Sequence, residues 1–260
     1  MAAVVDIEIG LLLEAVYARY GHDFRDYAAA ALKRRILQAL PRFGCETVSQ
    51  LQDRVVHDPG AFSALLQQLT IQVSDLFRDP PYFRAVRERV VPLLVTYPSV
   101  KLWIAGCASG EEVYSFAILL EEAGLLDRSV IYATDVHPEA LRRAEAGVYA
   151  LDRFARFTEN YQQSGGTRSL SDYYVAAYQG AVFDRRLRRN VVFSDHSLAT
   201  DSVFAEVEMV SCRNVLIYFN RRLQDRAVGL FAESLCPLGF LGIGARESLR
   251  PTGHAHRFAD

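Results

Sequence analysis

No other part of this sequence leaves so few folds open as KLWIAGCASGEEVYS, residues 101–115. Leu102 to Ala105 is an apolar run of the kind found in strands buried on both faces of a parallel sheet. Gly106, Cys107, Ala108, Ser109 and Gly110 are all small. After Glu111 and Glu112, the residues Val113, Phe116, Ala117, Leu119 and Leu120 return at helical spacing. A strand, a small-residue turn and a helix form the opening unit of an open α/β sheet, where ligands approach the carboxyl end of a strand. The turn alone is weak support for a ligand, because tight strand-to-helix connections use glycine without one.

The next segment narrows the choice. SVIYAT, Ser129 to Thr134, reads as a second buried strand with Asp135 at its end, and His137–Pro138 opens another helix. An acidic residue there, about 20–30 residues beyond the glycine turn, is what nucleoside-binding α/β domains use to accept hydrogen bonds from ribose hydroxyls. The plainer reading is that Asp135 caps the following helix, and the two roles are compatible. The turn does not spell G-x-G-x-x-G, and Glu111 with Glu112 stands where a pyrophosphate would need bare N–H groups. Carboxylates there suit a nucleoside with a cationic tail, and S-adenosylmethionine, with its ammonium and sulfonium, meets that description.

At 260 residues, half of them hydrophobic, the chain is long enough for one large domain or two smaller ones. A formal net charge of −2 gives no argument for nucleic acid as a partner. Cys45, Cys107, Cys212 and Cys236 are scattered without a C-x-x-C pair, which fits a reducing compartment better than a disulfide framework or a zinc site. No apolar run approaches the length of a membrane helix and no leader pattern is visible, so the expectation is a cytoplasmic protein without membrane insertion.

Taken in order, the first 98 residues predict helix after helix. Leu11 to Ala18 marks the first, ending near Gly21; Asp26 is positioned to cap a second, Tyr27 to Phe43, which stops at Gly44. Thr47 with Gln50 spells a capping box, and Asp58 before Pro59 opens a fourth helix. A fifth starts near Asp79–Pro80–Pro81 and runs to Leu94, with Pro92 interrupting its hydrogen bonds. Lys33, Arg34, Arg35 and Arg42 on the second helix form either a solvated face or a docking face for an acidic helix. Residues 99–260 switch to strands and helices, with a β-hairpin at about 170–189 turning near Gln179–Gly180. Further strands are expected at Val191–Ser194, Val207–Ser211 and Phe240–Ile243, with a helix around Arg222 to Leu235. PTGHAHRFAD reads as a loosely held tail, and His254 with His256 lacks the further ligands a metal site needs.

Three blocks stand out together: LTIQVSDLFRDP (69–80), IAGCASGEEVYS (104–115) and SCRNVLIYFN (211–220). In this order and spacing the chain resembles the CheR family of chemotaxis-receptor glutamate methyltransferases. The resemblance implies a small all-helical N-terminal domain, then a class I S-adenosylmethionine-dependent methyltransferase domain with an inserted β-subdomain. It places Arg78 and Tyr218 beside the transferring methyl, Glu112 at the donor's ammonium and Asp135 at its ribose. Ala105 and Gly106 would make backbone contacts, Asn214, Ser197 and Leu198 would line the adenine side, and Gln72, Ser74 and Arg78 would complete the donor site. Lys33, Arg34 and Arg35 would face the methylation helices of methyl-accepting receptors or a related acidic helical signalling protein, and the hairpin is where some members hold a receptor's peptide tether. Gln72, Ser74, Leu76, Val113, Ser197 and Arg246 depart from the family's usual Asn, Thr, Phe, Pro, Asn and Ser. These departures bear on substrate choice more than on chemistry.

The implied reaction is an in-line displacement in which a glutamate oxygen attacks the sulfonium methyl, leaving a methyl ester and S-adenosylhomocysteine. A carboxyl with an ordinary pKa of about 4.3 is already ionised at neutral pH, so no general base is required. Arg78 would orient one oxygen of the acceptor at about 3–3.5 Å from the methyl carbon, and Tyr218 would hold the other. Two other readings keep part of this: the same chemistry on a non-chemotaxis signalling protein, or a non-catalytic module that binds S-adenosylmethionine.

Overall fold

The computed structural model describes residues 3–70, 72, 74–177 and 180–259. Ile71 and Val73 of the first motif block, and Gln179 of the expected hairpin turn, lie outside them.

The amino-terminal region is built from α1 (Val4–Tyr20), α2 (Ala29–Ala39), α3 (Val48–His57) and α4 (Pro59–Leu69). Their ends follow local chemistry. Gly21 adopts a left-handed φ of 76° and donates to the Tyr17 carbonyl, closing α1. Thr47 Oγ1 accepts from the Gln50 amide while Gln50 Oε1 accepts from Thr47, and Asp58 Oδ1 accepts from the Gly60 amide at 2.7 Å. Leu12, Val16, Ile36, Leu51, Val55 and Leu65 fill a core private to these helices. The second helix differs from expectation. It starts at Ala29 without a side-chain cap, because Asp26 is engaged elsewhere: its Oδ1 accepts from Asn220 Nδ2 at 2.9 Å.

α5 (Pro80–Ala85) runs through a π turn, Val86–Val90, into α6 (Val91–Leu94). Pro92 explains the turn. It cannot donate to the carbonyl of Glu88, and the Val91 amide reaches back five residues to Val86.

The remainder is organised by five strands in one parallel sheet: β1 (Val100–Ala105), β2 (Ser129–Asp135), β6 (Val191–Asp195), β7 (Val207–Cys212) and β8 (Leu235–Ile243), in the spatial order β6-β2-β1-β7-β8. Leu102 lies opposite Ile131 on one side and Met209 on the other, so β1 is central. α7 (Glu111–Glu122), α8 (Pro138–Ala146) and α10 (Arg221–Ser234) connect the strands. Order reverses at β1: the chain winds outward through β2 to β6, then returns to β7. A crevice at the carboxyl ends of β1 and β7 follows from that reversal.

Between α8 and β6 the expected hairpin is present as β4 (Tyr174–Ala177) and β5 (Gly180–Phe183). A two-residue strand, β3 (Val148–Tyr149), extends it on the far side of β5, and α9 (Phe154–Gln163) packs beside it. The C-terminal stretch is not loose. Leu249 and Phe258 pack against the core around Trp103 and Phe231, the Gly253 amide donates to Asp225 Oδ1 at 2.7 Å, and Arg257 donates to the Ala232 carbonyl. His254 sits against Gly229 of α10, where a Cβ would come within 2.8 Å of its Nε2.

Gly110 is the backbone position on which the β1–α7 turn depends. Its φ is 90°, and a Cβ would lie 2.6 Å from Ala144 Cβ in α8. Left-handed strain of about 1–2 kcal/mol adds to an overpacking cost of about 1–3 kcal/mol. Gly110→Ala should therefore lower the melting temperature by roughly 4–20 °C, read by differential scanning calorimetry.

Candidate functional site

The crevice is a cleft floored by the turns after β1, β2 and β7 and walled by the helical region through Tyr27, Arg35 and Thr70. Gly106 at φ 75° begins the floor, and a Cβ there would meet Val215 Cγ2 at 2.5 Å. The amides of Gly106 and Cys107 both donate to the Thr134 carbonyl, locking this turn to the end of β2.

Asp135 stands beside the turn, buried, with Oδ2 accepting from the Ala108 amide at 2.9 Å and Oδ1 from the His137 amide at 3.0 Å. It is thus both the support of the turn and a wall of the cleft, while His137 itself caps α8 through its ring Nδ1. Burial pushes its carboxyl up to about 6, against the opposing pull of those amides. Cys107 and Cys212 are buried, and burial raises both thiols, so they act as small core groups and not as nucleophiles.

The neighbouring glutamates at the start of α7 serve different sides of the site. Glu111 is fully buried and pairs with Arg153 at 2.6 Å; Arg153 also donates to the Ser74 carbonyl at 2.5 Å and approaches Asp75 at 3.4 Å. Glu112 faces the cleft, accepting from Ser211 Oγ at 2.6 Å and from Arg213 Nη1 at 3.0 Å. The Arg213 side chain is 1 % exposed and stacks over Tyr82 at 4.1 Å. Its other terminal nitrogen donates to the Arg78 carbonyl and to Asp79 Oδ2, both at 2.7 Å.

Arg78 is thereby carried on a segment gripped from two directions. Phe77 and Asp79 on either side have left-handed φ values of 49° and 59°, conformations that cost a non-glycine residue about 1–2 kcal/mol each. The Phe77 amide is held by Ser115 Oγ at 2.7 Å, and Asp79 by Arg213. Across the cleft, Glu247 collects the amides of Asn214 and Val215, each at 2.9 Å, fixing the turn that leads to Tyr218. The Arg35 guanidinium lies 5.1 Å above the Tyr218 ring and donates to the Leu69 carbonyl. A short antiparallel seam completes the wall: the Ala28 amide donates to the Tyr218 carbonyl and the Asn220 amide to the Asp26 carbonyl, both at 2.8 Å.

Of the residues singled out from sequence, Gln72, Ser74, Arg78, Gly106, Glu112, Asp135, Leu198, Asn214 and Tyr218 line this cleft. Ala105 ends β1 buried beneath it, and Ser197 turns to Asp201 and Ala199; neither lines it. The basic cluster divides: Arg35 reaches the cleft, Lys33 pairs with Asp6 at 2.6 Å on α1, and Arg34 is exposed. Arg246 is solvent-exposed beside Glu247, while Leu76 and Val113 are core residues. Sequence reasoning missed Tyr27, His196, Arg213 and Glu247. Only Arg213 carried a signal, its place inside SCRNVLIYFN.

The lining fits the donor inferred from sequence. Gln72 Oε1, Asn214 Oδ1 and His196 Nδ1 are buried without a partner among the described residues, which suits an amine- and hydroxyl-bearing nucleoside. Two carboxylates, Glu112 and Asp135, also line the cleft.

Comparison with known proteins agrees. The family described as CheR methyltransferase, SAM binding domain, matches residues 72–259, and the CheR methyltransferase all-alpha domain matches residues 7–70. A putative methyltransferase Cher3 of Pseudomonas putida is 60% identical over 97% of this chain and 93% of its own length. A chemotaxis protein methyltransferase of Listeria monocytogenes is 29% identical over 88% and 85%. A probable biofilm formation methyltransferase WspC of Pseudomonas aeruginosa is 27% identical over 89% of this chain and 54% of its own.

S-adenosylmethionine binding should depend on pH through Asp135. Ribose hydroxyls need the ionised carboxylate, so affinity holds above the carboxyl's pKa of about 6 and falls as pH drops below it. Calorimetry should show a loss approaching tenfold per pH unit between about pH 6 and 5. Asp135→Asn should abolish that step and weaken binding at pH 7.5 by about tenfold or more.

Proposed function

The chain belongs to the CheR methyltransferase family, and we propose that it methylates glutamate side chains of an acidic helical signalling protein, a chemoreceptor in the first instance. The observation that carries this reading is the placement of Arg78 and Tyr218 in the same cleft as Glu112 and Asp135. S-adenosylmethionine, when bound, supplies a methyl group activated by a sulfonium.

The protein's own contribution is binding, orientation and exclusion of water. Glu112 receives the donor's ammonium, for which each of its oxygens keeps an unused lone pair beyond the bonds from Ser211 and Arg213. Asp135 receives the ribose in the same manner. The Arg78 guanidinium presents a fork that matches a carboxylate and aims one of its oxygens into the cleft. Tyr218, under the Arg35 guanidinium, offers a hydroxyl to the second oxygen. The acceptor arrives ionised and its charge is neutralised on transfer, so a setting screened from bulk water favours the reaction without a base. The exposed Arg34, on the same helix as Arg35, gives an acidic helix a first electrostatic contact.

The likeness to a biofilm formation methyltransferase keeps a second acceptor class in view, a signalling receptor outside chemotaxis, with identical chemistry at the cleft. Both readings require a methyl ester on glutamate. Incubation with methyl-labelled S-adenosylmethionine and receptor-bearing membranes should yield label released by base, mapped to glutamate by mass spectrometry. Arg78→Ala should lower kcat/KM by about 10²-fold or more with donor affinity retained to within a few-fold. Base-stable label, or an Arg78→Ala enzyme as fast as wild type, rules the reading out.

A further inference from the structure

We propose that Arg213 is a positioning residue that couples the donor site to Arg78, so that binding of the donor's ammonium at Glu112 tightens the strained segment carrying the acceptor-orienting guanidinium. The inference rests on the reading above in one respect, the assignment of the ammonium to Glu112.

Its physical basis is a closed ring of contacts. Glu112 binds Arg213 at 3.0 Å, and Arg213 binds the Arg78 carbonyl and the Asp79 carboxylate at 2.7 Å. From Asp79 the chain passes through Pro80 and Pro81 to Tyr82, whose hydroxyl meets Ser211 Oγ at 2.9 Å; Ser211 closes the ring on Glu112 at 2.6 Å. Gly242 of β8 makes the ring possible, since a Cβ there would stand 2.1 Å from the Tyr82 hydroxyl. One buried cation therefore serves two carboxylates, one belonging to the donor cleft and one to the Arg78 segment.

Electrostatics gives the direction of the effect. Arg213 is the cation that pairs with both Glu112 and Asp79. An ammonium at Glu112 takes over part of that compensation and frees the guanidinium's attraction for Asp79 and the Arg78 carbonyl. The segment can relax at Asp79, whose unfavourable φ of 59° is held by the Arg213 contact. Donor occupancy then selects the strained, acceptor-ready form from a wider ensemble. The Arg153 contacts to Ser74 and Asp75 do not transmit this signal, since Glu111 is buried away from the cleft.

Hydrogen exchange of the full chain, without any acceptor, tests the coupling, with S-adenosylhomocysteine at saturation as the probe because it retains the ammonium and ribose. In the wild type the probe should slow exchange of the Arg78 amide by at least about fivefold, the lower end of ordinary coupling between sites. Asp79→Asn cuts the ring at its half-exposed carboxylate, leaves Glu112 and Arg213 in place, and should reduce the slowing to less than about twofold at equal occupancy. Arg213→Met should do the same if it folds and binds; Asp79→Asn decides the matter if it does not. Slowing in Asp79→Asn equal to that in the wild type overturns the coupling. A wild type that fails to bind the probe in calorimetry overturns the donor site and the coupling together. Failure of the glutamate assignment alone leaves the exchange result unchanged, since no acceptor is present.

Discussion

Adjacent carboxylates at the start of α7 hold this site together. Side chains one residue apart on a helix diverge by about 100°, so Glu111 and Glu112 reach to different sides of the β1 turn. Each binds an arginine from far along the chain, Arg153 from the segment before α9 and Arg213 from the end of β7. Both arginines then clasp the stretch between Ser74 and Asp79. A buried charge without a partner costs several kcal/mol, which makes each pair an all-or-none element and the placement of Arg78 a result of both.

The rest of the architecture supplies what those pairs need. The parallel sheet brings the ends of β1, β2 and β7 to one level, and the reversal of strand order at β1 opens the space above them. Small residues at 106–110 keep that space clear, and Asp135 ties the turn from beneath. The helical region gives Tyr27 and Arg35 to the opposite wall.

How much of this was legible in the sequence depended on how local the cause was. The strand–turn–helix unit at 101–120, the capping box at Thr47 and the interruption at Pro92 follow from neighbours a few residues apart. That Glu112 and Asp135 would lie at the cleft was legible because each stands beside a turn that ends a strand. Arg213 reads as one more cation in a motif until β7 sets it beside Asp79, across 134 positions of sequence. Asp26 looked like a cap because an acidic residue before a helix usually is one; its partner is Asn220 in the other half of the chain. The tail 251–260 looked loose because its few apolar residues show no period, yet Phe258 finds the core around Trp103. Arg35 differs from Lys33 and Arg34 only by the face of α2 that meets Tyr218.

The seam between residues 26–28 and 218–220 carries an implication for how such proteins are divided and recombined. Tyr27 bridges Phe219 as a strand would, and its ring lies edge-on to that phenylalanine at 5.0 Å. The helical portion is therefore not a detachable handle: removing it strips two backbone partners from the tyrosine segment and bares an aromatic surface. A chimera that joins helices from one relative to the sheet of another inherits a working pocket only when this pair of three-residue strips travels as a matched set.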